Sequence, residues 1–276
     1  MTPFPENMPS AKDIREMFDS IAPEYDAFNH LTSLGIDRCW RRRALRFIKG
    51  PKVLDLACGT GDFSIAIARG LRGVRVTGID ISDGMLAEMK IKLAKAGLEP
   101  DGTSLNSKGT LHGSDGTSLS SNDTPLNSKD TPPGSDGTPL SRVSALIGDA
   151  CNLQFPDETF DSVSVAFGVR NFEDKEKALS EALRVLKPGG HFVMLELGLP
   201  DKFLARKVFN VYFKYIMPYV GGKMSRNKEA YRYLPASVSK FPEKQEWMDI
   251  MEGAGFRNVR HRALSLGICR LYTAKK

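Results

Sequence analysis

Short apolar runs alternate with helical patterns along most of the chain. KVLDLA (52–57) is a compact apolar run ending at a Gly-rich turn, as expected of a parallel strand buried on both faces. A helix is predicted over 62–71 and a second strand, VRVTGID, over 74–80. Residues 83–95 read as a helix, with Asp83 a fitting N-cap. RVSALIGD (142–149) and FDSVSVAFG (160–168) supply two more strands. A helix over 174–186 is stopped by Pro188, Gly189 and Gly190, and HFVMLEL (191–197) follows as a fifth strand. Repeated βα units imply right-handed crossovers. The expected fold class is therefore α/β, a doubly wound, mostly parallel sheet with helices on both faces. Near the end, a helix over about 243–254 precedes two β-like runs, 256–264 and 267–275. Such a hairpin adds an antiparallel strand at the sheet edge.

Between 101 and 141 the pattern vanishes. DGTSLNSK, DGTSLSSN, DTPLNSK, DTPPGS and DGTPLS vary one polar theme and have no apolar positions to stack. Too little surface can be buried there to offset the entropy of ordering. The expectation is a disordered low-complexity insertion, 99–141, within a single domain of 1–276.

Composition changes this picture little. At 41% hydrophobic and 26% charged, the 276 residues suit a globular protein. No run approaches the roughly 18 apolar residues of a membrane span, and the first residues lack the apolar core of a signal peptide. A cytoplasmic location is expected. The four cysteines, Cys39, Cys58, Cys151 and Cys269, form no CxxC pair, so neither a zinc site nor a disulfide framework is indicated. The formal charge of +6 is uneven. Arg38, Arg41, Arg42, Arg43, Arg46, Lys49 and Lys52 cluster early, either as a solvated helix face or as a surface for an anionic partner. No nucleic-acid-binding motif stands beside them, and nucleic acid is not expected as a partner.

The chemistry gathers at strand ends. In VLDLACGTGD (53–62), strand, Gly-rich turn and helix follow in order. Gly59 and Gly61 let the backbone approach a ligand, and the helix start presents N–H groups. Asp62, Phe63 and Ser64 follow Gly61, so the third glycine of the dinucleotide fingerprint is missing. Asp55 disfavours a pyrophosphate and suits a cationic amino acid or sulfonium. Asp80, ending the second strand, is placed to accept ribose hydroxyls, a role common to NAD and S-adenosylmethionine sites; helix capping is its plainer role. Asp149, beside Ala150, closes the third strand and is placed to accept from an adenine amino group, or is simply a loop acid.

Several blocks together resemble one family. IAPEYDAFNHLTSLGIDRCW (21–40), VLDLACGTGD, FGVRNF (167–172), RVLKPGGHFVMLELG (184–198) and AYRYLPASVSKFP (230–242) are similar, in this order, to the menaquinone/ubiquinone biosynthesis C-methyltransferases. The resemblance covers nearly everything outside 99–141. It implies a class I S-adenosylmethionine-dependent methyltransferase fold, S-adenosyl-L-methionine as cofactor, and a polyprenylated quinol as acceptor. Within it, LGICRLYTAKK favours demethylmenaquinol. It implies Thr60, Asp80, Asp149 and Ala150 as cofactor contacts. The chain departs from the family pattern with Asp37 where many members carry His, Phe28 where many carry Met, and Ala166 where some carry Ser.

Methyl transfer to a ring carbon needs alignment, a stabilised phenolate and exclusion of water. No metal is required. Arg170 is the leading candidate to hold the phenolate, although an ion pair steadying FGVRNF would equally explain it. Asn171 is placed to share that role. Tyr25 and Asp26 are expected in an N-terminal cover, Tyr231, Arg232 and Tyr233 on the acceptor side, and His30 as a weaker candidate base. The basic, aromatic stretch 202–219 suggests peripheral membrane contact. A homodimer is a further partner state to consider.

Overall fold

The structure is a computed structural model, and it describes residues 10–98, 104–105, 111–112, 142–212 and 228–276. Seven strands form one sheet in the order β5-β2-β1-β6-β7-β9-β8. They are β1 (Lys52–Leu56), β2 (Arg75–Asp80), β5 (Arg142–Ile147), β6 (Phe160–Ala166), β7 (Leu186–Leu197), β8 (Arg257–Leu264) and β9 (Cys269–Lys275). The first five pair in parallel. The closing hairpin extends the sheet beyond β7. Its second strand, β9, runs antiparallel to β7, and β8 lies outermost.

Strand side chains alternate between two cores. Leu54, Leu56, Val163 and Met194 face one layer, closed by α5 (Lys175–Val185) and α8 (Lys244–Gly253), whose Trp247 is fully buried. Val53, Val76, Val143 and Val193 face the other, with Phe63 and Ile67 of α3 (Asp62–Gly70) and Leu86 and Leu93 of α4 (Asp83–Ala96). Burial on both faces explains why β1 and the second half of β7 read as near-continuous apolar runs. Ser82, rather than Asp83, caps α4: its hydroxyl accepts from the Met85 N–H at 3.1 Å. Asp174 caps α5 by accepting from the Lys177 N–H.

Two further helices were not evident from periodicity. α1 (Ala11–Thr32) begins with a reciprocal Ser10–Asp13 capping box and carries Pro23 within it. α2 (Ile36–Ala44) follows after a turn at Gly35. α1 packs on α4, where Asp19 accepts from the Ser82 hydroxyl at 2.6 Å and the Gly84 N–H at 2.9 Å. Two more helices are α6 (Phe203–Val211) and α7 (Lys228–Lys240), and Leu234 of α7 packs against the cluster of Ile21, Phe28 and Met85.

Most of 99–141 lies outside the described residues. Within it, however, Ser104–Leu105 and Leu111–His112 pair as a short antiparallel ladder, β3 and β4, beside β5. This ladder is a two-stranded sheet of its own, separate from the seven-stranded one.

The chain winds from β1 out to β2 and β5, then returns to β6 and β7. The direction therefore reverses between β1 and β6, and ligands of doubly wound sheets bind at the carboxyl ends beside that point.

Candidate active site

Two cavities open at this switch point. One of about 430 Å³ reaches Asp80, Asp149 and Ala150. The other, about 680 Å³, reaches Asp55, Thr60, Arg41 and Arg170. Tyr25, Ala57, Gly59, Ala166 and Phe167 line both, so the two are adjoining halves of one site. Each half lies in the size range of small-molecule sites.

The backbone is bent sharply where the halves meet. Ala57 (φ 48°) follows β1 and Phe167 (φ 64°) follows β6, both in the left-handed region that non-glycine residues avoid. Gly168 is obligatory beside them, since an added Cβ would lie 2.6 Å from the Ala57 Cβ. Gly59 (φ 55°) faces open space where a Cβ would meet nothing within 4 Å, the geometry of a ligand cradle. Gly61 lies between Thr60 and Asp62, which line the larger cavity, and is not itself among its lining residues. Its glycine is required by its left-handed φ of 81° and by the Met89 side chain, 2.5 Å from where a Cβ would sit.

Asp80 and Asp55, below the Gly-rich turn, are buried and held. Asp80 accepts from the Gly59 N–H at 2.8 Å and the Ser82 N–H at 2.9 Å, so it shapes the turn while facing the smaller cavity. Burial raises its pKa. Asp55 accepts from the hydroxyls of Ser64 (2.6 Å) and Ser164 (2.7 Å), and burial pushes its carboxyl up to about 6. A carboxylate so poorly solvated favours a cation beside it. Asp149 accepts from the Cys151 N–H at 2.8 Å at the rim of the smaller cavity, next to buried Ala150.

The N-terminal helices cover the site. Tyr25 of α1 is half-buried, and desolvation of its hydroxyl raises its pKa. Thr60 donates to Asp26 at 2.5 Å, and Lys92 joins Asp26 (2.7 Å), Thr60 (3.2 Å) and Asp62. Thr60, which lines the larger cavity, thus has its hydroxyl hydrogen-bonded to the cover. His30 stands 3.0 Å from Asp37 and 3.5 Å from Asp62, and Arg41 pairs with the same two acids. Burial pushes the Asp62 carboxyl up, but Arg41 and Lys92 outweigh it and hold the pKa below the usual range. His30, Asp37 and Asp62 offer ligand atoms within 4.8 Å of one another, the spacing of a cation site. A metal there would have to displace Arg41 and Lys92. His30 is bound into this network, not aimed at an acceptor.

Arg170 lies on the short turn after β6, is 6% exposed and lines the larger cavity. Its Nη1 donates to Glu196 Oε1 at 2.7 Å and to the Phe167 carbonyl, while its Nε is buried without a partner. Sequence reasoning missed Glu196, which sits in the apolar run of β7 and is 1% exposed. An acid within a fully buried strand was the available signal. Asn171 faces the smaller cavity instead, with its Oδ1 buried and unpartnered. Tyr233 has a buried, unpartnered hydroxyl but lines neither cavity. The side chains of Tyr231 and Arg232, and residues 213–219, lie outside the described structure.

The mouth of the larger cavity is apolar and exposed: Leu34 (81%), Leu204 (72%) and Leu266 (59%) stand around it, with Phe203 (83%) adjacent in sequence. No helix among the described residues is long and apolar enough to cross a membrane.

Comparison with known proteins agrees with this geometry. The chain matches the ubiE/COQ5 methyltransferase family over residues 6–118 and 134–276. It is 36% identical to the demethylmenaquinone methyltransferase of Bacteroides fragilis, over 99% of this chain and 96% of that one. The demethylmenaquinone methyltransferase of Thermus thermophilus is 38% identical over 94% of this chain and its own full length. The ubiquinone/menaquinone biosynthesis C-methyltransferase UbiE of Geobacter sulfurreducens is 38% identical over 95% and 88%. Among solved structures, a SAM-dependent methyltransferase from Thermotoga maritima superposes with a TM-score of 0.56 at 18% identity, over 95% of this chain and 99% of that one. The [4+2]-cyclase SpnF superposes at 0.55 and 15% identity, over 98% and 97%. At such identities the likeness is one of fold alone.

Proposed function

The chain belongs to the ubiE/COQ5 methyltransferase family, and from that premise we propose that it methylates a ring carbon of a polyprenylated quinol, demethylmenaquinol first, with S-adenosyl-L-methionine as donor. The observation that carries this reading is the joined pair of cavities. The smaller has the acids expected at a nucleoside, Asp80 and Asp149; the larger is chiefly apolar and opens through exposed leucines.

The site's own residues fit the donor. Asp80 and Asp149 suit ribose and adenine, Gly59 leaves room at the turn, and buried Asp55 suits a cation. When bound, the donor supplies an electrophilic methyl group on a sulfonium. Tyr25 and α1 exclude water from the shared wall, which strengthens every charge interaction inside. Arg170, whose guanidinium is held by Glu196 where the residue lines the larger cavity, is our candidate for holding the acceptor's phenolate. A phenolate enriches the ortho ring carbon in electrons. The donor would supply its methyl group to that carbon and depart as the neutral thioether, and the ring proton would pass to solvent as aromaticity is restored. Glu196 keeps the guanidinium aimed. The exposed leucines and Phe203 at the mouth favour contact with a membrane surface, from which a prenyl tail could enter.

The test supplies labelled methyl donor with reduced demethylmenaquinone and, separately, a reduced ubiquinone precursor, and identifies the product. Label should enter a ring carbon of the menaquinone precursor. Transfer to oxygen, or to neither acceptor, would overturn the reading.

A further inference from the structure

We infer that Arg41 is the residue that binds the α-carboxylate of the methyl donor, so that it recognises the amino-acid end of the cofactor. The inference rests on the donor assignment above.

S-adenosyl-L-methionine carries two positive groups and one carboxylate. The acids at the Gly-rich turn suit the positive groups; the carboxylate needs a cation. Gly59 spans both cavities, and Asp80, which fixes its N–H, faces the smaller one. A ligand with its ribose at Asp80 therefore passes Gly59 into the larger cavity beside Thr60 and Asp62, where its amino-acid end must lie.

Among the described residues lining the larger cavity, the side chains with permanent or near-permanent positive charge are Arg41, Arg170 and Lys202. Lys202 is exposed. Arg170 sits at the end of β6, held by Glu196. Arg41 stands against the turn itself, with Nη1 3.4 Å from Asp62 and paired with Asp37, and with its guanidinium carbon 5.6 Å from the Phe167 ring centroid. Only 12% of its side chain is exposed, and its Nε is buried without a partner. Lys92, the other cation at the turn, already meets three acceptors, Asp26, Thr60 and Asp62. Arg41 is thus the cation at the turn with a buried donor left over. Asp37 holds it there; the Ser33 hydroxyl, donating at 2.6 Å, anchors Asp37 in turn. A planar guanidinium matches a carboxylate's two oxygens, which an ammonium cannot do.

The test is calorimetric and needs no turnover. S-adenosylmethionine and its decarboxylated analogue, which lacks only the carboxylate, are titrated into the intact protein and into Arg41→Gln. The parent should prefer the full donor by about tenfold or more. In Arg41→Gln that preference should collapse towards one, through loss of donor affinity with the analogue unweakened. A parent without preference, a preference that survives in Arg41→Gln, or equal weakening of both ligands would overturn the inference. If Arg41→Gln leaves Asp37 and Asp62 too poorly compensated to fold, Arg41→Lys keeps the charge. Its preference should fall at least about threefold, because the fork is lost, and an unchanged preference would be decisive against us. A parent that binds neither ligand would instead remove the donor assignment itself.

Discussion

Arg170 and Glu196 form one buried unit: Nη1 of the arginine lies 2.7 Å from Oε1 of the glutamate, and the arginine's own N–H donates to Oε2 at 3.1 Å. The pair ties the turn after β6 to the end of β7 and sets how the guanidinium enters the larger cavity. Removing one partner of a buried ion pair costs about 3–5 kcal/mol, because the other charge is left uncompensated. Glu196→Gln should therefore lower unfolding free energy by roughly that amount in urea. A loss below about 1 kcal/mol would mean the pair is easily replaced.

Arg170→Lys separates charge from geometry. The ammonium can still pair with Glu196, so the fold should persist. Turnover at saturating substrates should fall by at least about tenfold, with donor affinity unchanged, because the planar fork no longer reaches the phenolate. Turnover equal to the parent's would assign Arg170 to holding the turn alone.

Asp80→Ala removes an acceptor from the Gly59 and Ser82 N–H groups as well as from the ribose. Donor affinity should drop by about 1.5–3 kcal/mol, the usual worth of a charge-assisted bond. Calorimetry on a folded variant that keeps parental affinity would take Asp80 out of the site.

Asp55 predicts a pH dependence. Its folded-state pKa, about 6, lies above the ordinary 3.8 because it is buried. Between those values the free folded protein holds a proton that the unfolded chain has lost, so this group's contribution to stability falls as pH rises from about 4 to 6. A cationic donor favours the ionised carboxylate and lowers that pKa. Binding should then release a proton near pH 5–6, and affinity should rise with pH across that window, by at most about tenfold per unit. Heats measured in buffers of different ionisation enthalpy will show the release. Asp55→Asn should abolish it, and release that persists in that variant would place its source elsewhere.

The 99–141 segment leaves the sheet at its amino edge. α4 ends at Ala96, and β5 starts at Arg142, opposite Arg75 at the start of β2. Both cavities open at the other edge. Loop closure changes by only about 0.6 kcal/mol per doubling of length. Replacing 101–140 with a short Gly/Ser linker should leave turnover and donor affinity within about twofold and stability within about 1 kcal/mol. A well-folded variant with little activity would show that the segment reaches the site or an essential partner.

The sheet was legible in the amino-acid sequence because burial on both faces writes a strand as an apolar run, and each run ended in a Gly- or Asp-bearing turn. Asp55, Gly59, Asp80 and Asp149 followed from that rule, since ligands of such sheets collect at strand ends. Other features depend on contacts between residues far apart in the chain, which no local pattern records. That Gly61 has Met89 packed against it is one such feature. Arg41 looked like one member of a solvated basic face, yet α2 turns it inward onto Asp37 and Asp62 while its neighbours Arg42 and Arg43 stay exposed. Glu196 was hidden in an apolar strand because its partner, Arg170, comes from the turn that follows the neighbouring strand. Local periodicity specifies elements and their order; the pairing of buried charges is decided only when the packed sheet brings them together and excludes the water that would otherwise solvate each one.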